Sequence, residues 1–210
     1  MNLRVLIPVR PFEDGKRRLS TRLSPLQRQV LSARLCRHLF DVVLAVVPAG
    51  DCIVVSRSPE VLALAESHGM QALAEDPPGG LNPALEQAAA LSATQGADAV
   101  LSLACDLPLL SPDDVRALIA RAAPGRVVLG SDQACSGTNA LLMSPPGAIP
   151  YLYGADSRRL HREAACLAGL GFEAIHRPGI ATDIDTPADI DALPDEAARL
   201  LPGHDCRESA

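Results

Sequence analysis

The chain is 210 residues long, 48% hydrophobic and 2% aromatic, with no Trp, so it can bury one sizeable core and must build it from Ala, Leu, Val and Ile. A net charge of -6 and a pI near 5.3 exclude the concentrated basic surface that a nucleic-acid partner needs, although an anionic ligand can still be held locally. No apolar run approaches the roughly 18–20 residues of a membrane-crossing helix, the six cysteines include no CxxC pair, and no basic-then-apolar leader opens the chain; a reduced, cytoplasmic protein is expected.

In chain order, residues 3–9 read as a short apolar strand, followed by a loop rich in Pro, Gly, Lys and Arg and then an amphipathic helix over about residues 24–43. A second strand is expected at residues 53–56, a helix at 59–68 that stops at Gly69, and a third strand at 70–74. Pro77, Pro78, Gly79 and Gly80 mark a loop before an Ala-rich helix predicted over 83–92. Residues 97–104 form a continuous apolar run, the pattern of a strand buried on both faces. Ser111 is a natural N-cap, with Pro112 at the first helical position and Asp113 and Asp114 in the first turn. Strands at 126–129 and 138–143, a helix at 157–168 and a strand at 173–176 complete the alternation, which implies an α/β fold with a mostly parallel sheet. One domain over residues 1–193 is expected, with a polar, flexible tail at 194–210.

In such sheets ligands gather beyond the carboxyl ends of the strands. After the first strand, Arg10, Lys16, Arg17 and Arg18 surround the turn-forming Gly15, a loop suited to a polyphosphate; it is not a GxxxxGK[ST] loop, and a solvated basic loop is the plainer alternative. Gly79 and Gly80 would let backbone amides approach a ligand and Asn82 could offer its amide to a base edge, while glycines after prolines also make ordinary turns. Asp106 ends the most hydrophobic strand, where a carboxylate bordering the core needs a partner; a metal is favoured over a turn or cap. Asp183 and Asp185 lie two apart in an extended segment, which turns both carboxylates to one face and makes a divalent cation the natural neutraliser. Asp189 follows Thr186 and Pro187 and reads as a first-turn charge outside the site. His38, His68, His161, His176 and His204 are scattered, no Gly-x-Ser-x-Gly elbow exists, and Cys105 reads as inert filler rather than as a nucleophile.

The segments IPVRP with GKRRL, GGLN, ACDLPLL, SGTNALL, YGADS and TDIDTPADI, in this order, resemble the 2-phospho-L-lactate guanylyltransferase family, which builds the deazaflavin coenzyme F-420. The resemblance covers residues 3–193. It implies a three-layer α/β/α fold like the nucleotide-diphospho-sugar and molybdopterin nucleotidyltransferases, with GTP as donor and a three-carbon phospho-acid as acceptor. It further implies Mg2+ held by Asp106, Asp183 and Asp185, donor contacts from Lys16, Gly80 and Asn82 beside Arg10, and an acceptor phosphate near Thr138, Gly154 and Ser157. Phosphoenolpyruvate, 2-phospho-L-lactate and 3-phospho-D-glycerate all stay open as acceptors, and a downstream transferase of the same pathway is an expected partner. The rival readings are a molybdopterin or sugar-phosphate nucleotidyltransferase of the same fold, and a catalytically silent binding module.

Overall fold

The computed structural model describes residues 1–203. Its seven strands are β1 (Leu3–Pro8), β2 (Cys52–Ser56), β3 (Gln71–Ala74), β4 (Ala99–Leu103), β5 (Arg126–Gly130), β6 (Ala140–Ser144) and β7 (Gly171–Ile175), in the spatial order β3-β2-β1-β4-β6-β5-β7. All neighbours are parallel except the two pairs that involve β6. The reason is the length of the connection. A parallel return needs a crossover of about a dozen residues, usually helical. Residues 131–139 are too few for one, so the chain turns back on itself. The Asp132 carboxylate ties that turn by accepting from the Ser136 and Gly137 N–H groups at 2.8 and 2.9 Å.

Five longer helices cover the sheet: α1 (Pro25–Leu44), α2 (Pro59–Ser67), α3 (Leu81–Thr94), α4 (Pro112–Ile119) and α5 (Ser157–Leu167). Alternation along the strands divides the core. Val5 and Ile7 of β1 pack on the face covered by α1, α2 and α4, whereas Leu6 between them packs on the face covered by α3 and α5. The result is three layers. Ser24 and Ser111 form capping boxes with Gln27 and Asp114, so α1 and α4 begin where the sequence places them. By contrast α3 starts at Leu81 rather than near residue 83. Gly80 is its N-cap at φ 125, and Pro83 falls inside the first turn, where its missing N–H costs nothing.

Three short helices follow β7: α6 (Pro178–Ala181), α7 (Pro187–Asp191) and α8 (Asp195–Ala198). A satellite apolar cluster joins Leu19, Leu31 and Leu35 to Ile184 and Ile190, with Leu200 and Leu201 packed against it. Consequently the segment beyond residue 193, expected as a flexible tail, is docked in its described part: Ala197 is buried and Arg34 donates to the Leu201 carbonyl at 2.8 Å. Its apolar Leu200 and Leu201 explain the difference, because the polar residues around them hide the pattern. Residues 204–210 of that expected tail lie outside the described residues. Among the described residues no helix is long and apolar enough to cross a membrane, and the five cysteines are all free.

Candidate active site

The chain runs from β1 outward to β2 and β3, then returns to place β4 on the other side of β1. The loops leaving β1 and β4 therefore diverge and open a crevice between them, the usual ligand position in an α/β sheet. Lys16 comes from the first loop and Asp106 from the second. The Lys16 backbone is left-handed, φ 55 and ψ 36, which costs about 1 kcal/mol or more for a residue with a Cβ. It is kept there by the short 3-10 turn Arg17–Leu19, whose Leu19 is anchored in the satellite cluster. Lys16 Nζ donates to Asp106 Oδ2 at 2.7 Å and to Asp185 Oδ1 at 3.3 Å, and its side chain is only 8% exposed. Burial opposes the charged ammonium, but the Asp106 and Asp185 carboxylates outweigh it and hold the Lys16 pKa above its ordinary value.

Asp106, Asp183 and Asp185 each offer a carboxylate oxygen, and these oxygens lie within 4.8 Å of one another. The extended backbone at 183–185 works as the alternation predicts. Ile184 points away, fully buried, and its N–H donates to the Asp106 carbonyl at 3.2 Å, which fixes the two acidic loops side by side. Burial and then the neighbouring Asp106 and Asp185 charges push the Asp183 carboxyl up to about 6. Lys16 bonds Asp106 and Asp185 and the exposed Arg18 reaches Asp185 at 3.9 Å, while Asp183 has no cation in contact among the described residues, so negative charge is left over and three hard oxygens at this spacing fit a magnesium-like cation. Asp189 is spent elsewhere: one of its oxygens accepts from the Asp185 N–H, the Thr186 N–H and the Thr186 hydroxyl at 2.8, 2.6 and 2.9 Å. It caps α7.

These side chains form the floor of a cavity of about 650 Å³, a size suited to a nucleotide, whose walls also carry Arg10, Gly80 and Thr138. Two residues that sequence reasoning missed belong to it, Arg57 and Glu75. Each is the first residue after a strand, β2 and β3 respectively, so the rule that found Asp106 could have found them. Arg57 pairs with Asp14, and the guanidiniums of Arg57 and Arg17 hold the Asp14 carboxyl below its usual range. Glu75 accepts from the Gly80 N–H.

Other expected residues stand differently. Asn82 does not line the cavity. Because α3 begins two residues early, its amide faces the backbone of Tyr153, donating to the carbonyl at 3.2 Å and accepting from the N–H at 2.8 Å. It clamps that segment rather than meeting a base. Gly154, at φ 136, opens the exposed turn before α5 and also stays off the cavity wall. Ser157 is 2% exposed and reaches the cavity through Thr138, donating to Thr138 Oγ1 at 3.0 Å. His161, unassigned in the sequence, completes that group at 3.1 Å from Thr138 Oγ1. A hydrogen bond with Cys36 and burial push the Cys105 thiol well above its ordinary pKa, so it stays protonated and inert.

A family model described as guanylyl transferase CofC like matches residues 3–194. A phosphoenolpyruvate guanylyltransferase of Rubrobacter xylanophilus is 39% identical over 92% of this chain and 94% of its own length. A 3-phospho-D-glycerate guanylyltransferase of Colwellia psychrerythraea is 32% identical over 92% and 91%. Among solved structures, a nucleotidyl transferase from a Methanothermobacter superposes with a TM-score of 0.65 at 21% identity, covering 94% of this chain and 98% of that one. At that identity the likeness speaks for the fold, which is the nucleotidyltransferase one.

Proposed function

The chain belongs to the CofC-like guanylyl transferase family, and we propose that it transfers the GMP part of GTP to the phosphate of phosphoenolpyruvate, releasing pyrophosphate, in coenzyme F-420 formation. The observation that carries this reading is the convergence of Lys16, Asp106, Asp183 and Asp185 where the loops after β1 and β4 diverge. Phosphoenolpyruvate leads the acceptors because the relative with 39% identity carries that name, against 32% for the 3-phospho-D-glycerate enzyme.

In the reaction an oxygen of the acceptor phosphate attacks the α-phosphorus of GTP. The new P–O bond forms as the bond to the β-phosphate breaks, so no enzyme nucleophile is needed and catalysis is positioning and charge neutralisation. Asp106, Asp183 and Asp185 would hold Mg2+, which when bound supplies charge to the phosphates and to the departing pyrophosphate. Lys16 adds a fixed positive charge beside them, and Arg10 and Arg57 line the wall where the triphosphate would lie. Gly80, at the head of α3, lines the cavity with its N–H held by Glu75 and its carbonyl by the Ala84 N–H, so it offers the nucleotide room rather than a hydrogen bond. Thr138 meets the acceptor phosphate, with Ser157 behind it, and Gly154 forms the turn that leads into the helix bearing Ser157. The whole unit acts as one nucleotidyltransferase domain, and its labile guanylylated product would pass to a downstream transferase.

The test is Mg2+-dependent pyrophosphate release from GTP with phosphoenolpyruvate, 2-phospho-L-lactate and 3-phospho-D-glycerate offered separately, and from ATP, CTP and UTP in parallel. Release with GTP and phosphoenolpyruvate that disappears in Asp106→Asn supports the reading. Release with another acceptor alone replaces the acceptor, and release with another triphosphate alone removes the base assignment.

A further inference from the structure

We infer that His161 is a positioning residue that fixes the Thr138 hydroxyl as a hydrogen-bond donor toward the phosphate of the acceptor, an inference that rests on the acceptor site proposed above. His161 is fully buried on α5, one helical turn beyond Ser157, with its ring edge-on to Tyr153 at a centroid distance of 5.3 Å. The Leu152 N–H donates to its Nε2 at 2.9 Å. Nε2 is thus an acceptor and carries no proton. A neutral imidazole has one N–H, so the proton sits on Nδ1. Nδ1 is 3.1 Å from Thr138 Oγ1 and donates to it, with the Ser157 carbonyl one turn back on α5 as a second acceptor for the same proton.

Thr138 Oγ1 also accepts from the Ser157 hydroxyl at 3.0 Å. A hydroxyl oxygen has two lone pairs and one proton. With both lone pairs occupied by Ser157 and His161, the remaining direction belongs to the proton of Thr138 itself, and Thr138 lies on the cavity wall. Without His161 that hydroxyl could rotate and present a lone pair to an incoming anion, which would repel it. With His161 in place the hydroxyl meets the anion as a donor before binding, so no reorganisation is required when the phosphate arrives. Burial, which pushes the imidazole down to about 4, keeps it neutral and preserves the direction of every bond in the chain.

The experiment compares steady-state KM values for GTP and for phosphoenolpyruvate in the wild type, Thr138→Val, His161→Asn and His161→Gln. Asn can place an N–H where Nδ1 stands, whereas Gln can place a carbonyl where Nε2 stands, so the two variants separate support of Thr138 from support of Leu152. His161→Gln is expected to raise the acceptor KM about tenfold with the GTP KM unchanged, His161→Asn to restore most of the loss, and His161→Gln to add nothing in a Thr138→Val background. Equal effects of Asn and Gln, or parallel shifts in both KM values, would overturn the inference. A Thr138→Val variant with an unchanged acceptor KM removes the acceptor site itself, whereas a raised KM there with an unaffected His161→Gln removes only the role of His161. Should the His161 variants not fold, 15N spectra of the wild-type imidazole decide: a neutral Nδ1–H form at pH 7 is expected, and an Nε2–H form or an imidazolium contradicts it.

Discussion

The two ends of the cavity are held by opposite means. Where β1 and β4 part, four charged side chains from three loops depend on one another, and Asp185 remains 47% exposed. At the start of β6, Thr138, Ser157 and His161 are 6%, 2% and 0% exposed and are joined by neutral hydrogen bonds. The first arrangement is poised to change partners when a cation or a phosphate enters, because its charges are unequal in number. The second is already satisfied except for one proton, so it can receive a ligand without rearranging. Ligand binding should therefore alter stability through the charged end and selectivity through the neutral one.

Breaking the charged end should have the largest effect. Asp106→Asn leaves Lys16 its contact with Asp185, so the fold should persist while pyrophosphate release falls by at least about a hundredfold; a folded variant with near-normal turnover would refute the charge argument. Next comes the support beneath it. Ile184→Ala removes a fully buried side chain from the satellite cluster and should cost about 2–4 kcal/mol in denaturant unfolding. Activity should drop with it, because the Asp183 and Asp185 loop loses its anchor.

Magnesium should then raise the melting temperature, by about 2.7 kcal/mol of stability at a hundredfold excess over its Kd, with the gain shrinking below about pH 6 as the Asp183 carboxyl takes up a proton. The smaller effects sharpen the comparison because their signs differ. Asp183 is raised from 3.8 to about 6 in the fold, so without metal the native state binds more protons and stability declines as pH rises through that window. His161 is lowered from 6.5 to about 4, so its contribution is complete above 6.5 and is lost as pH falls toward 4. Between about pH 4 and 6 the two slopes oppose and largely cancel, so melting curves of the metal-free protein should be nearly flat there, and His161→Gln should expose the decline due to Asp183 alone.

Much of this arrangement is legible in the sequence, and the exceptions have physical reasons. Asp183 and Asp185 are readable because extended backbone alternates, and Asp106 because a carboxylate that ends an apolar strand borders the core and calls for a cation beside it. Their meeting with Lys16 is not readable from spacing, since residue 106 is 90 positions from residue 16 and only the strand order joins them. Asn82 escapes the local pattern because proline favours the first helical position, which would start α3 at Pro83, whereas a first turn tolerates proline further in. His161 carries no local pattern at all; its role depends on Leu152, Thr138 and Ser157, three contacts that exist only after folding.

The satellite cluster has a consequence for how the protein comes into being. It stitches Leu19, synthesised near the beginning, to Ile184 and Ile190, synthesised near the end, and these anchors set the distance between Lys16 and the Asp183 and Asp185 pair. A nascent chain can lay down β1 to β4 and collect Lys16 and Asp106 on the ribosome, yet it lacks two of its three acids until nearly all of the domain has emerged. A fragment that ends before Asp183 would thus keep Lys16 and Asp106 but only one of the three acids.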